Sequence, residues 1–465
     1  MRGTIPAGTI TGRMVTELGV AAVLALYCDM ERVVRPGDRA PVYVSTTART
    51  FRLELYRLGG QPRPVWRGGE LPGEPVPAGD PTRDWGWPAY EIEVPADLPG
   101  GVYLVVGVEL NGPPRPEPSL VGFDGTALLA VTPHRPGSTA LYKLPMRTFL
   151  AYNAAGGSSL YANAVWRDGA CVVGVGRPGT GAGGPTAEPA DVYAPGWARQ
   201  TFWHWDAPFL SWAGRAGYAL DVVFDTALDT EPELLSRYGA LVTAGHDEYW
   251  TAACLELTRD FVTAGGSLAV FGGNTCWWRA EVAGGELRVA KDVNHPGTGD
   301  LWWHRGRADS ALVGLSYRHG GGSWSAARPA SRYRFRLDGD KLLAGVDVDA
   351  FAMLPTLAGY EADGHAYEPG RPWRSTGRDG APSDLVVLAY APLTDEPPLV
   401  WQRESREPDV ESPQCATIAY YRRDGSLVFN AGTTDWSRHL DHPGVDRLTR
   451  NVLDAIGVTA TVTTR

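Results

Sequence analysis

Cysteine is scarce in this 465-residue chain, which has five cysteines at widely spaced positions and no C-x-x-C pair. That pattern argues against a disulfide framework and a structural zinc site. Lysine- and arginine-rich runs are also missing, and the formal net charge is −10, so the chain would repel the phosphates of a nucleic acid. No stretch approaches the roughly 18 apolar residues that a membrane span needs. We therefore expect a cytoplasmic globular protein that binds neither nucleic acid nor membrane.

Several catalytic motifs are absent as well. The sequence has no G-x-S-x-G elbow of an α/β-hydrolase, no H-E-x-x-H zinc motif and no Walker A loop. The glycines of 174–179 have dinucleotide-site spacing, but Pro178 interrupts them and no helical pattern follows. The chain therefore lacks the commonest sequence signatures of serine hydrolases, zinc proteases and nucleotide-binding enzymes.

The first 137 residues have the pattern of a β domain. Strand-length runs such as 40–45, 51–57, 90–95, 101–108 and 126–131 lie between proline- and glycine-rich turns, and no helical period separates them. This pattern predicts an Ig-like antiparallel β-sandwich over residues 1–137.

Residues 138–465 have a different pattern, which predicts an α/β domain with a mostly parallel sheet. Residues 240–245 and 267–271 are unbroken apolar runs, typical of strands buried on both faces. The helical spacing of apolar residues in 251–264 between them completes a β-α-β unit. Further helices are predicted at 209–217 and 445–456, and a further buried strand at 426–430.

Polar residues follow these two neighbouring strands. His246, Asp247 and Glu248 follow the first strand, and Asn274 follows the second. The carboxyl ends of parallel neighbours share one edge of a sheet, where ligands bind, so His246, Glu248 and Asn274 are expected to meet. In the simpler interpretation, Asp247 caps the next helix and Glu248 lies in its first turn. We assign the cap to Asp247 and keep Glu248 and His246 as site candidates.

Other features are more open in meaning. Tyr152 and Tyr161 bracket a glycine-rich turn, where tyrosines are usually packing residues. Cys276, two positions beyond Asn274, offers only a weakly supported thiolate nucleophile. The loop-like segment 180–194 is either a lid or a solvated insertion. The 17 tryptophans favour core packing over carbohydrate binding.

Six motifs in order resemble a known family. They are Y-N-x-x-G-G-x-S-L-Y at 152–161, G-H-D-E-Y-W at 245–250, F-G-G-N-T at 271–275, G-Y-E-x-D at 359–363, V-F-N-A-G-T-T-x-W at 428–436 and T-R-N-V-L at 449–453. Together they resemble the large (β) subunit of N,N-dimethylformamidase and its relatives. The resemblance implies a glutamine-amidotransferase-like α/β domain that has lost the cysteine nucleophile, preceded by a sandwich.

The resemblance also implies a mononuclear Fe(III) held by two tyrosinates and one glutamate. The glutamate matches Glu248, and the tyrosines are assigned to Tyr152 and Tyr161, with Tyr142 and Tyr193 as alternatives. In this resemblance, His246, Asn274 and Glu361 correspond to catalytic residues and not to metal ligands.

The implied reaction is the metal-dependent hydrolysis of a small amide or a related C–N bond. Two alternatives stay open: another mononuclear-iron enzyme of specialised metabolism, and a non-catalytic protein that binds carbohydrate or a partner. The family enzyme also has a small subunit. The expected partners are therefore a small-molecule substrate, a separate small subunit and further copies of the chain.

Overall fold

The computed structural model describes residues 24–460 with gaps. The positions outside the description are 1–23, 59–62, 78–79, 111–124, 183–198, 292–298, 324–330, 338, 355, 394–412 and 461–465. The predicted lid or insertion at 180–194 lies almost wholly outside the described residues, and so does Tyr193.

Two antiparallel sheets make up the N-terminal part. Their strands are Leu24–Cys28 (β1), Arg39–Thr46 (β2), Thr50–Arg57 (β3), Arg63–Arg67 (β4), Leu71–Pro72 (β5), Ala89–Glu93 (β6), Gly101–Glu109 (β7) and Thr126–Val131 (β8). One sheet has the order β1-β2-β6 and the other the order β4-β3-β7-β8, with β5 paired to β3. Leu26, Val42, Leu53, Val105 and Leu129, drawn from both sheets, belong to one apolar core. The β-rich prediction is confirmed for the described residues, whereas the Ig-like class and the boundary at residue 137 stay predictions.

An eight-stranded sheet forms the centre of the rest of the chain. Its strands, in spatial order, are Asp221–Phe224 (β12), Ala140–Leu144 (β9), Ala240–His246 (β13), Ser267–Gly273 (β15), Ser426–Asn430 (β24), Cys415–Arg423 (β23), Val386–Pro392 (β22) and Arg334–Phe335 (β20). The first five are parallel to one another, and the last three pair antiparallel.

The prediction of a mostly parallel sheet holds for the first five strands, whereas the sheet as a whole is mixed, with four parallel and three antiparallel strand pairings. The reason is the Asp424-Gly425 turn between β23 and β24. Both residues have positive φ, 49° and 90°. An Asp-Gly pair with that geometry makes a tight hairpin and forces the two strands antiparallel.

Smaller sheets surround the central one. Their strands are Val165–Arg167 (β10), Ala170–Gly174 (β11), Tyr249–Trp250 (β14), Trp278–Arg279 (β16), Glu281–Ala283 (β17), Glu286–Val289 (β18), Ser316–Gly322 (β19) and Glu361–Gly364 (β21). They form a four-stranded sheet, β10-β11-β18-β17, and the pairs β14-β16 and β19-β21.

Helices cover both faces of the central sheet. The α-helices are Met146–Tyr152 (α1), Phe202–Ala216 (α2), Ala227–Thr230 (α3), Ala252–Thr263 (α4), Ser310–Val313 (α5), Val348–Ala352 (α6) and Pro443–Ala455 (α7). The 3₁₀ segments are Ala155–Gly157, Leu235–Arg237, Trp303–Arg305, Lys341–Leu343, Arg378–Gly380 and Trp436–His439. Within β13, Val242 packs in the core that contains α2 and α7 residues, and Leu241 packs in the core that contains α4 residues.

Helix α2 begins seven residues earlier than predicted. The sequence pattern predicted a helix from Phe209, directly after Pro208, and a proline inside a helix removes a backbone hydrogen bond. The structure keeps Pro208 inside the helix. Phe202 and Trp205 bury the early turns in the core, and this packing overrides the local cost of the proline.

All five cysteines are buried and free of disulfides. Among the described residues, no helix is long and apolar enough to cross a membrane.

Candidate functional site

The ends of β13 and β15 form the floor of the site. These parallel strands pair Gly245 with Gly272 and His246 with Gly273. Gly245 has φ +70°, and a Cβ there would lie 2.4 Å from the Cβ of Trp205. A glycine is needed at this position because both the backbone conformation and the close approach of α2 exclude a side chain. The floor thus lies at the predicted sheet edge.

The two tyrosines of the glycine-rich turn meet above this floor. Tyr152 is the last residue of α1, and the chain returns so that Leu160 N donates to Ala151 O at 2.9 Å. The rings of Tyr152 and Tyr161 therefore stack, with centroids 4.1 Å apart and planes 15° apart. The turn therefore places the hydroxyl groups of Tyr152 and Tyr161 side by side.

Both hydroxyls meet the carboxylate of Glu248. Tyr152 Oη donates to Glu248 Oε2 at 2.9 Å, and Tyr161 Oη lies 3.1 Å from both Glu248 oxygens. Although 41% of Tyr161 is exposed, its hydroxyl end faces a carboxylate that is only 4% exposed. Two phenol oxygens and one carboxylate thus converge at one point.

A second group of polar side chains flanks Glu248. His246 Nε2 lies 2.9 Å from Glu361 Oε2 and 3.5 Å from Glu248 Oε2. Asn274 Nδ2 lies 3.1 Å from Glu361 Oε2 and 3.2 Å from His246 Nε2. All are buried, so His246, Glu248 and Asn274 meet as the sheet topology predicted, and Glu361 joins them from β21.

Gln200 fixes the proton arrangement of His246. Trp205 Nε1 can only donate, and it contacts Gln200 Oε1 at 3.3 Å, so this oxygen is an acceptor. His246 Nδ1 lies 2.7 Å from the same oxygen and must therefore carry a hydrogen. Nε2 then faces Glu361, and the short contact between them requires one proton to be shared by this pair.

Tyr249 and Lys291 belong to the site but were not predicted. Tyr161 Oη is hydrogen-bonded to Tyr249 Oη, which accepts from Lys291 Nζ at 3.2 Å. The same ammonium lies 3.9 Å from the centre of the Tyr161 ring. Tyr249 follows Glu248 directly in the G-H-D-E-Y-W motif and could have been found there. Lys291 has no sequence signal, since only the folding of the chain after β18 brings it close.

Burial dominates the electrostatics of this cluster. Burial raises the pKa of the Glu248 carboxyl. His246 lowers this pKa, and the charge of Glu361 raises it further. Burial and then the Glu248 charge raise the pKa values of Tyr152 and Tyr161 far above the usual value. Burial also lowers the pKa of Lys291 to about 8. By itself, then, the pocket favours neutral phenols that donate to Glu248.

The predicted helix cap at Asp247 was wrong. Asp247 Oδ2 lies 2.5 Å from Lys143 Nζ in a fully buried ion pair, and Oδ1 accepts from Trp250 Nε1 at 3.0 Å. The cap of α4 is Thr251, whose hydroxyl accepts from Cys254 N. Glu248 likewise lies outside the helix, because a two-residue strand, β14, intervenes before α4 begins.

Two remaining candidates lie apart from the oxygen cluster. Tyr142 is in β9, and its hydroxyl donates to Asp206 at 2.8 Å. Cys276 is fully buried, and burial raises its thiol pKa well above the usual value, which opposes thiolate formation. Tyr193 lies outside the described residues.

The sequence matches one family model over most of its length. The model describes the C-terminal part of N,N-dimethylformamidase beta subunit-like proteins, and it matches residues 48–449. The chain belongs to this family. A search of curated proteins found no match. The N,N-dimethylformamidase beta subunit-like match begins between β2 and β3, so it includes most of the N-terminal sheets as well as the site.

Proposed function

We propose that this chain is a mononuclear-iron hydrolase of small amides. The observation that carries the proposal is the convergence of Tyr152, Tyr161 and Glu248 oxygens beside a His246–Glu361 pair. Membership of the dimethylformamidase-like family supports amide hydrolysis as the reaction class.

The oxygen set suits a hard, highly charged cation. Among the described residues, no cluster of three His, Cys, Asp or Glu side chains is arranged to hold a metal ion. A metal at this site therefore depends on the phenol oxygens of Tyr152 and Tyr161 together with Glu248. Anionic oxygen donors of this kind fit Fe(III) better than the metals that prefer sulfur or nitrogen. When bound, Fe(III) supplies a Lewis acid that polarises the amide carbonyl.

The His246–Glu361 pair would move the proton. The pair shares one proton in the resting arrangement, and once that proton has been released to solvent the pair can accept a proton from the attacking water. Water adds to the carbonyl carbon, and the same pair then returns the proton to the departing nitrogen. The C–N bond breaks, and the products are a carboxylic acid and an amine.

Asn274 would orient this pair and the reacting carbonyl. Its Nδ2 lies near both Glu361 and His246, whereas its buried Oδ1 has no hydrogen-bond partner within the part of the chain that the structure describes. Asn274 also has φ +49°, and its backbone N donates to Asp363 Oδ1 at 2.8 Å. This anchored position suits an amide that donates a hydrogen bond to the oxygen on which negative charge develops.

The finer fold and partner assignments belong to the same proposal. The mixed sheet with helices on both faces is compatible with a glutamine-amidotransferase-like domain. The two antiparallel sheets of the N-terminal part, β1-β2-β6 and β4-β3-β7-β8, are called the front sheets, and they are compatible with an Ig-like sandwich. The family description names a beta subunit, so we include a separate small subunit among the partners.

Metal binding and activity are tested in one experiment. The purified full chain is loaded with Fe(III), its iron content and visible absorption are measured, and amine release is followed from small amides that include N,N-dimethylformamide. The loaded protein is expected to bind one iron and to be coloured by tyrosinate-to-iron charge transfer. Glu248→Gln and Tyr161→Phe are expected to lose most of both signals, since each removes an oxygen donor or its charge.

Tyr90→Phe is the matched control, because the Tyr90 hydroxyl donates to Pro72 O in the front sheets and not in this cluster. It should keep the iron and the colour. A colourless protein without bound iron, or a Glu248→Gln variant with unchanged colour, would overturn the assignment of the ligands.

A further inference from the structure

The turn that carries Tyr152 and Tyr161 is held from behind by a buried arginine. We propose that Arg177 is a positioning residue for the site: its guanidinium ties the Ala155–Ser158 backbone to the N-terminal sheets and so keeps both tyrosine hydroxyls directed at Glu248. The proposal rests on the proposed function only for its consequence on metal binding, and its structural part can be tested without iron.

Arg177 contacts three backbone carbonyls on two parts of the chain. Nη2 donates to Ala155 O and also to Ser158 O, and both carbonyls lie within the glycine-rich turn between Tyr152 and Tyr161. Nη1 donates to Pro81 O at 2.6 Å, in the segment between β5 and β6. A planar guanidinium has several donors in a rigid fork, so one side chain fixes the distance between the turn and the front sheets.

The burial of Arg177 has no compensating negative charge among the described residues. The side chain is 1% exposed, and burial is the only influence on its pKa, with no described carboxylate acting on it. Burial accordingly lowers its pKa to about 10. A buried charge is costly unless hydrogen bonds compensate it, and here the carbonyls supply that compensation for Nη1 and Nη2, while Nε has no partner among the described residues. The energetics of Arg177 therefore depend on the same contacts that hold the turn.

Packing reinforces these hydrogen bonds. Gly156, in the middle of the turn, has φ +75°, and a Cβ there would lie 2.8 Å from Pro81 Cβ and 3.0 Å from the Trp85 ring. Ala155 belongs to an apolar cluster with Trp85 and Tyr27 of the front sheets. The turn is thus pressed against the N-terminal part with no room for a side chain at Gly156.

The segment around Arg177 is itself joined to the front sheets. Gly179 N donates to Leu26 O of β1, and Leu128 N of β8 donates to Thr180 O. On the other side, Asn153 Nδ2 donates to Pro178 O at 3.0 Å, directly after Tyr152. Residues 177–180 therefore form a bridge from the front sheets to the turn. We infer that the N-terminal sheets act as a structural support of the site.

The test compares local hydrogen–deuterium exchange in full-length variants. Arg177→Met keeps the length of the side chain but removes the donors. Arg318→Met is the control, since Arg318 is also buried but bonds to Asp379 instead. In the metal-free protein, Arg177→Met is expected to speed exchange of the 153–161 peptide about tenfold or more, because backbone groups held through a charged donor are released. The 240–246 peptide should be unchanged, and Arg318→Met should leave the 153–161 peptide at the wild-type rate.

The iron-loaded proteins give the second measurement. If the wild type is coloured, Arg177→Met is expected to lose most of the charge-transfer absorption. Should Arg177→Met not fold, Arg177→Lys serves in the same comparison, since it keeps a cation but not the fork of donors. Equal exchange of the 153–161 peptide in wild type and the Arg177 variant would overturn the positioning role. A localised increase in a protein that never binds iron would support the positioning role and contradict only the proposed function.

Discussion

His246 Nε2 and Glu361 Oε2 lie 2.9 Å apart, although they come from different sheets. His246 ends β13 of the central sheet, and Glu361 begins β21. Since Gln200 holds the other ring nitrogen as a donor, the pair must share one proton. In the proposed mechanism, the pair rather than either residue alone is therefore the unit that transfers protons.

Replacing Glu361 with Gln should therefore impair catalysis more than metal binding. The carboxamide keeps the size of the side chain but cannot accept the proton, so kcat for amide hydrolysis is expected to fall about 100-fold or more. Iron content and colour should stay at wild-type values. The exposed Glu233→Gln variant is the control. If Glu361→Gln keeps wild-type kcat, the pair does not carry the proton.

The buried ion pair beneath the site should show strong energetic coupling. Lys143→Met leaves the Asp247 carboxylate buried without its cation, and the free energy of unfolding is expected to fall by about 4 kcal/mol. Adding Asp247→Asn removes the uncompensated charge, so the double variant should be more stable than the sum of the two single effects predicts. Urea denaturation of the wild type, both single variants and the double variant measures this coupling. Strictly additive effects would contradict it.

Gly245 should tolerate no side chain. Gly245→Ala combines a positive φ with a Cβ 2.4 Å from Trp205 Cβ. We expect a loss of about 3 kcal/mol in the free energy of unfolding. Gly284→Ala is a matched control, because Gly284 also has positive φ, +60°, but nothing lies within 4 Å of its Cβ position. That variant should lose only about 1 kcal/mol. Similar losses in both variants would mean that the contact with Trp205 is not limiting.

His365 should make the fold sensitive to acid. Burial lowers its pKa from 6.5 to about 4, so between those pH values the unfolded chain binds a proton that the folded chain does not. Above pH 6.5, His365 is neutral in both the folded and the unfolded chain, so it does not change the free energy of unfolding. As the pH falls from 6.5 to about 4, the free energy of unfolding decreases by about 3 kcal/mol in total. His365→Gln should therefore lose less stability than the wild type over that range, measured as Tm against pH. The difference in pH slope should vanish above pH 7, and identical slopes at pH 4–6.5 would contradict the assignment.

Local patterns predicted much of the scaffold. The unbroken apolar runs at β13, β15 and β24 indicated strands buried on both faces, and the helix at α4 was found almost to the residue. Strand-length runs between turns indicated five of the eight N-terminal strands, β2, β3, β6, β7 and β8. These elements were predictable because burial on one or two faces leaves a direct trace in the spacing of apolar residues.

The errors came where tertiary contacts outweigh local rules. Pro208 lies inside α2 because buried aromatic residues hold the helix together. Asp247 pairs with Lys143 instead of capping α4, since the strand β14 separates it from the helix. The mixed sheet has a local cause instead, because the Asp424-Gly425 turn pairs β23 antiparallel to β24.

The sequence by itself determined the candidate edge of the site and its family. His246, Glu248 and Asn274 follow two parallel strands, and the motifs that contain them are continuous in the chain. Only the tertiary structure decided that Tyr152 and Tyr161 both reach Glu248, that Glu361 pairs with His246, and that Lys291 and Arg177 flank the cluster. The physical reason is that strand ends leave a local signature in sequence. The meeting of distant side chains depends on how the turn, the small sheets and the N-terminal sheets pack around them.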